Sequence, residues 1–136
     1  MSCVVRLFAC LLTLAVLGCG GGDGRVAVTG TVTLKGQALD QGQIDFEPLE
    51  SQGTSGSTAI KDGVYTIPRD KGLRPGKYLV RVFSAGYAPG TEPKKVNGIL
   101  EGPPPKERIP PQYSHKSQLT AVVEASGKNE FPFAIP

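Results

Sequence analysis

The chain has 136 residues, of which 18 are Gly and 12 are Pro, together about twice the usual share and an excess that long helices do not accommodate. Charged residues make up 20% and hydrophobic ones 39%, with a formal net charge of +3; this excludes charge-driven disorder and lacks the strong basic field of a nucleic-acid binder. With no Trp, one His and three Cys, most of the material for a histidine metal site, a His-based catalytic centre or a tryptophan-lined sugar platform is missing, and the length fits one modest globular domain.

In chain order, Arg6 leads into an apolar run over residues 7–17, followed by Gly18-Cys19 and the cluster Gly20-Gly21-Gly22. The run is too short for a membrane-crossing helix of about 20 residues and has the length of a signal-peptide core. Residues 19–25 then read as a lipid-proximal, Gly-rich tether; no Lys-Ser/Thr follows the glycines, so they are not a phosphate loop. From residue 26 the pattern has period two. Val26, Val28, Gly30, Val32 and Leu34 share one face and Thr29, Thr31 and Thr33 the other, which predicts a half-buried strand ending in a Lys35-Gly36-Gln37 turn.

Ile44 and Phe46 alternate with Asp45 and Glu47 in a second strand that Pro48 stops. A third begins at Thr58-Ala59-Ile60-Lys61, and Asp62-Gly63 predicts a tight hairpin into a fourth over 64–67. After Pro75-Gly76, Tyr78, Val80 and Val82 alternate with Leu79, Arg81 and Phe83 in the longest strand. Residues 85–117 break the rhythm: they hold seven of the twelve prolines and no convincing periodic run, and structureless segments of this length are usually functional or mobile. Periodicity resumes at Leu119, Ala121 and Val123, and again at Phe131, Phe133 and Ile135. The expected fold is therefore all-β, an antiparallel β-sandwich of about seven strands.

Val16-Leu17-Gly18-Cys19 resembles the bacterial lipobox. The resemblance implies a lipoprotein signal peptide over 1–18, diacylglyceryl transfer to the Cys19 thiol, cleavage before it and acylation, typically with palmitate, of the new amine. Leu7-Phe8-Ala9-Cys10 is a rival match but leaves almost no apolar core ahead of it. On this reading Cys3 and Cys10 depart with the signal peptide, Cys19 is blocked as a thioether, and the exported domain has no disulfide. The protein is then expected on a bacterial membrane, facing the periplasm or the cell surface, with Cys19 as its membrane contact.

Val28-Thr29-Gly30-Thr31-Val32, Asp62-Gly63-Val64-Tyr65 and Pro75-Gly76-Lys77-Tyr78-Leu79-Val80 together resemble the carboxypeptidase regulatory-like domains, over nearly all of residues 26–136. Ile109-Pro110-Pro111-Gln112-Tyr113, Leu119-Thr120-Ala121 and Gly127-Lys128-Asn129-Glu130-Phe131 resemble a subgroup of small bacterial lipoproteins. The resemblance implies a transthyretin-like, immunoglobulin-related sandwich that acts as a folding, adhesion or binding module, with no catalytic residues, metal or cofactor to carry over. Its motifs are turns and strand starts, which specify fold better than activity.

Residues 85–117 are the expected contact region. Phe83, Tyr87 and Tyr113 stand at its margins as aromatic anchors for an envelope protein or polysaccharide, and Lys94, Lys95, Lys106 and Arg108 add positive charge suited to anionic polymers or lipid headgroups. The opposing reading has the segment packing across a sheet face, with Tyr87 and Tyr113 as its pegs. His115, between Ser114 and Lys116, is read as a solvated loop histidine; neighbours in one loop rarely converge as a hydrolase site. Asp40, Asp45 and Glu47 are carboxylates of calcium type but follow no calcium-loop pattern. Lys35 and Asn129, with Glu47, are considered as an isopeptide pair and disfavoured because they lie at turns. The functional expectation is a non-catalytic envelope module, with a small-ligand or carbohydrate-binding lipoprotein as the alternative and a hydrolase behind both.

Overall fold

A computed structural model of the chain describes residues 22–51, 53–87 and 90–136. The expected signal peptide, Cys19 and the first residues of the tether lie outside these. The described chain is all-β. Its strands are β1 (Val28–Leu34), β2 (Gln37–Ala38), β3 (Gln41–Pro48), β4 (Gly56–Lys61), β5 (Val64–Ile67), β6 (Gly76–Phe83), β7 (Ala85–Gly86), β8 (Lys94–Val96), β9 (Ile99–Glu101), β10 (Lys106–Glu107), β11 (Leu119–Val123) and β12 (Phe133–Ile135). Among the described residues, helical structure is limited to single 3-10 turns at Arg69–Lys71 and Pro111–Tyr113. Each of the seven strands expected from alternation is present, as β1, β3, β4, β5, β6, β11 and β12.

Those seven form one sheet in the order β11-β6-β3-β4-β5-β1-β12, with β2 beside β1. The sheet must curl. β11 and β12 are its two edges, yet they are joined only by residues 124–132, and six flat strand spacings would hold them about 29 Å apart. Part of that connection is also folded back: the Asn129 amide accepts from the Glu124 N–H at 2.8 Å and donates to the Glu124 carbonyl at 3.0 Å. The remaining four steps to Phe133 reach about 14 Å at most. The curl brings the edges together, and the final strand joins β1 in parallel, from Val32↔Phe133 to Leu34↔Ile135, whereas the other pairings are antiparallel.

The concave side holds a single core that includes Val28, Val32, Ile44, Phe46, Ile60, Tyr65, Tyr78, Val80, Val82 and Ile135. Phe46 sits between two tyrosines, 5.9 Å from the Tyr65 ring and edge-on to Tyr78 at 6.4 Å. Both phenols are inside and both are satisfied: Tyr78 donates to the Arg74 carbonyl and Tyr65 to the Phe131 carbonyl, each at 2.8 Å. Burial, with Glu130 as a smaller contribution, pushes the Tyr65 phenol well above its ordinary pKa, so it remains a donor at every physiological pH. Gly30 makes this contact fit. A Cβ there would stand 2.1 Å from the Phe131 carbonyl oxygen and 2.6 Å from the Tyr65 hydroxyl.

Strand directions fix which ends meet. β1, β5, β4, β3 and β6 are linked by four successive antiparallel pairings, so β6 runs the same way as β1. The chain enters beside the start of β1, where Val26 bridges Leu73 just ahead of β6. Residues after Phe83 therefore emerge at the opposite end of the sheet. The eight residues of β6 separate the two ends by about 26 Å.

Gly30→Ala is expected to cost about 3 kcal/mol by overpacking, and Tyr65→Phe about 1–2 kcal/mol for the lost buried hydrogen bond. Chemical denaturation checks both; a Gly30→Ala protein as stable as the parent would contradict the packing described.

Candidate functional site

The far end of the sheet is built around a pinned neck. Ser84, buried just beyond β6, donates its hydroxyl to the Gln41 carbonyl at 2.6 Å and its N–H to the Glu107 carboxylate at 2.8 Å. The same carboxylate oxygen accepts the Ile109 N–H at 2.9 Å. The Arg108 N–H donates to the Ser84 carbonyl at 2.9 Å, while its guanidinium donates to the Ser84 hydroxyl at 2.7 Å and to Asp40 at 2.6 Å. β7 and β10 pair directly above these contacts, Ala85 with Glu107 and Gly86 with Lys106. Both strands of the neck are thus tied to one another and to the loop before β3.

The segment expected to lack regular structure instead divides in two. Residues 85–107 leave and return through the neck and carry a second hairpin, β8 with β9, in the register Lys94↔Glu101, Lys95↔Leu100 and Val96↔Ile99. Its turn is Asn97-Gly98, with φ of 50° and 85°, the backbone that a two-residue hairpin requires. Gly102 closes the base: a Cβ there would lie 2.8 Å from the Pro93 Cα. Residues 109–117 do the opposite and pack on the body. Ile109 joins the core, and the Ser117 hydroxyl donates to the Val80 carbonyl at 2.5 Å.

The expected contact residues separate accordingly. Tyr113 packs half-buried against the core, which is the peg role. Phe83 is half-buried, with its ring 5.3 Å from that of the exposed His115. Arg108 is spent on the neck. Lys94 and Lys95 lie exposed on β8, Lys94 directly opposite Glu101, so the positive charge expected there is partly balanced across the hairpin. Tyr87 and Lys106 come together at a cleft of about 250 Å³ lined also by Gly86, Thr91, Pro103 and Pro104. The same excursion carries large apolar side chains that the sequence expectations do not include, Ile99 exposed at 66% and Leu100 at 69%. Asn97-Gly98 between Val96 and Ile99 was the signal that locates them.

The other candidates do not converge. Asp40 pairs with Arg108 and Glu47 with Arg81, and Asp45 accepts from Gln43 and from Ser57; among the described residues no cluster of metal-ligating side chains forms. Asn129 hydrogen-bonds near the start of β1 and Lys35 lies past its end, which keeps them about 20 Å apart along the strand. Compared with family models, with curated proteins and with solved structures, the chain gives no significant match.

Arg108→Ala removes the guanidinium's bonds to Ser84 and Asp40, worth about 1–2 kcal/mol locally, and should make limited proteolysis within 85–107 roughly tenfold faster. The Arg108 hydrogen bond holds the Asp40 carboxyl below the ordinary aspartate range. The folded state therefore favours the ionised form: the stabilisation is present above about pH 4 and fades as pH falls through the lowered value. The Asp40 carboxyl carbon and the Arg108 guanidinium N–H resonances should report this loss below about pH 4 in the parent protein, and the guanidinium response should be lost in Asp40→Asn.

Proposed function

We propose that the chain is a lipid-anchored, non-catalytic module of a bacterial envelope that holds residues 85–107 away from its membrane as a contact surface for an envelope protein or polysaccharide. The observation that carries this reading is the placement of the chain's point of entrance and the 85–107 excursion at opposite ends of one curled sheet. Val16-Leu17-Gly18-Cys19 supports lipid attachment at Cys19, seven positions before Val26. An anchor there would set the excursion outward, with Tyr87, Ile99 and Leu100 exposed on it. On this reading the curled sheet is a transthyretin-like sandwich of the carboxypeptidase regulatory-like kind, whose members act as binding or structural modules. Aromatic and aliphatic side chains on a pinned frame suit contact, since little order is lost when a partner docks.

The cleft at Tyr87, Pro103 and Pro104 favours a second reading, a small-ligand or carbohydrate site with the ring of Tyr87 as a stacking face and Lys106 as a rim donor. Its volume suits one sugar ring rather than a long chain.

Two measurements test the proposal. Metabolic labelling with a palmitate analogue should mark the protein and fail to mark Cys19→Ser. Crosslinking in intact cells should capture a discrete envelope partner that is lost when residues 87–105 are replaced by a short Gly-Ser linker. An unlabelled parent protein contradicts the anchor, and capture unchanged by the replacement contradicts the contact surface. Stabilisation by an envelope sugar that vanishes in Tyr87→Ala would favour the second reading.

A further inference from the structure

The end of the sheet opposite the neck carries its own unclaimed feature. Between β5 and β6 the chain reads Arg69-Asp70-Lys71-Gly72-Leu73-Arg74-Pro75-Gly76-Lys77, four cations to one acid. Leu73 is buried as the plug that fixes this segment to the core, and Gly72 fits because a Cβ would strike the Val26 carbonyl oxygen at 2.1 Å. Arg69, Lys71, Arg74 and Lys77 are all exposed. The ion pairs of the described residues are Arg25–Asp23, Arg81–Glu47 and Arg108–Asp40, so none of the four is neutralised by a carboxylate.

The segment lies where the chain enters. Val26 exchanges backbone hydrogen bonds with Leu73 at 2.8 and 3.1 Å, the Arg25 guanidinium donates to the Asp70 carbonyl at 3.3 Å, and the Cβ position of Gly22 is 3.0 Å from a guanidinium nitrogen of Arg69. Cys19 is three residues before Gly22, at most about 11 Å of chain. A surface that held Cys19 would therefore lie no more than about 11 Å of chain from the contact of Gly22 with Arg69.

We infer that residues 69–77 form a footing that rests on anionic phospholipid headgroups at the membrane to which Cys19 is attached. The inference deepens the anchor reading above and rests on it. A lipid surface is the occupant because the short tether leads straight to this segment and because four exposed cations complement a negative leaflet. Glu50, Glu124 and Glu130 on the loops at this end oppose the attraction, so the footing is a local contact of 69–77 rather than a uniformly basic face. Leu49, exposed at the end of β3, adds an apolar side chain beside it: its N–H donates to the Lys77 carbonyl at 2.9 Å. The footing would limit tilting and keep the excursion pointing outward.

The test uses the full chain, purified from bacterial membranes and reconstituted in vesicles of phosphatidylcholine alone or mixed with phosphatidylglycerol. A fluorophore is placed at Pro75→Cys, or at Leu100→Cys as the distal control, and quenched by a headgroup nitroxide lipid. Quenching at position 75 is expected on the anionic vesicles, falling about threefold on neutral vesicles or at high salt, with little quenching at position 100. Lys71→Glu with Lys77→Glu, both exposed and free of carboxylate partners, should lower the quenching at position 75 without changing the melting temperature. With acylated Cys19 confirmed by intact mass, equal quenching at the two positions, or quenching at position 75 that ignores anionic lipid and salt, overturns the footing. A mass without acyl chains overturns the anchor, and the footing with it. Binding of a soluble anionic polysaccharide through 69–77, with no vesicle dependence, overturns the assignment to lipid.

Discussion

Four antiparallel pairings separate β1 from β6, and an even number of reversals makes the two strands run the same way. The rest of the molecule follows from that parity. The described chain leads into the start of β1 through residues 22–27 and leaves for its long excursion at the end of β6, so these two segments lie at opposite ends. One further or one fewer strand between them would place both on the same side. The separation therefore does not depend on a particular side chain of the excursion; it is a property of the sheet order, and each core residue that keeps β3, β4 and β5 in register maintains it.

The curl that closes the sheet depends on close contact at Gly30. A flat sheet would leave β11 and β12 too far apart for the connection between them, and the edge of β1 would be uncovered. The missing side chain at Gly30 lets the Tyr65 phenol pass beneath β1 and donate to the Phe131 carbonyl, which draws the last segment against the first strand. That buried hydrogen bond is made to a backbone group that would otherwise be unsatisfied, so its loss costs more than its formation contributes. At the other end the neck works with charge. Glu107 caps two backbone N–H groups and Arg108 joins Ser84 to Asp40, ordering a proline-rich segment that has little core of its own.

Alternation made the body of the fold legible. Val28, Gly30 and Val32, or Tyr78, Val80 and Val82, reveal both the strand and the face it buries, and Lys35-Gly36 and Asp62-Gly63 mark turns that the structure contains, with positive φ at both residues. The third turn of this kind, Asn97-Gly98, is masked in the sequence because its flanking strands are three residues each, exposed on both faces and surrounded by proline, so no burial pattern accompanies them. The neck was also hidden: Ser84, Arg108 and Asp40 meet only after the sheet has formed, and nothing local in sequence distinguishes a lysine that stays free from an arginine tied to a distant aspartate. The basic segment at 69–77 is visible as composition, but its place beside residues 22–26 is not.

The opposition of the two ends of the sheet is measured directly by a pair of spin labels. With the native cysteines replaced by serine, labels at Asp23→Cys and Leu100→Cys should give a pulsed-EPR distance of about 35 Å or more, the length of β6 plus part of the excursion. A main distance below about 20 Å, less than β6 alone spans, would place residue 23 and the excursion on one side and contradict the opposition of the two ends.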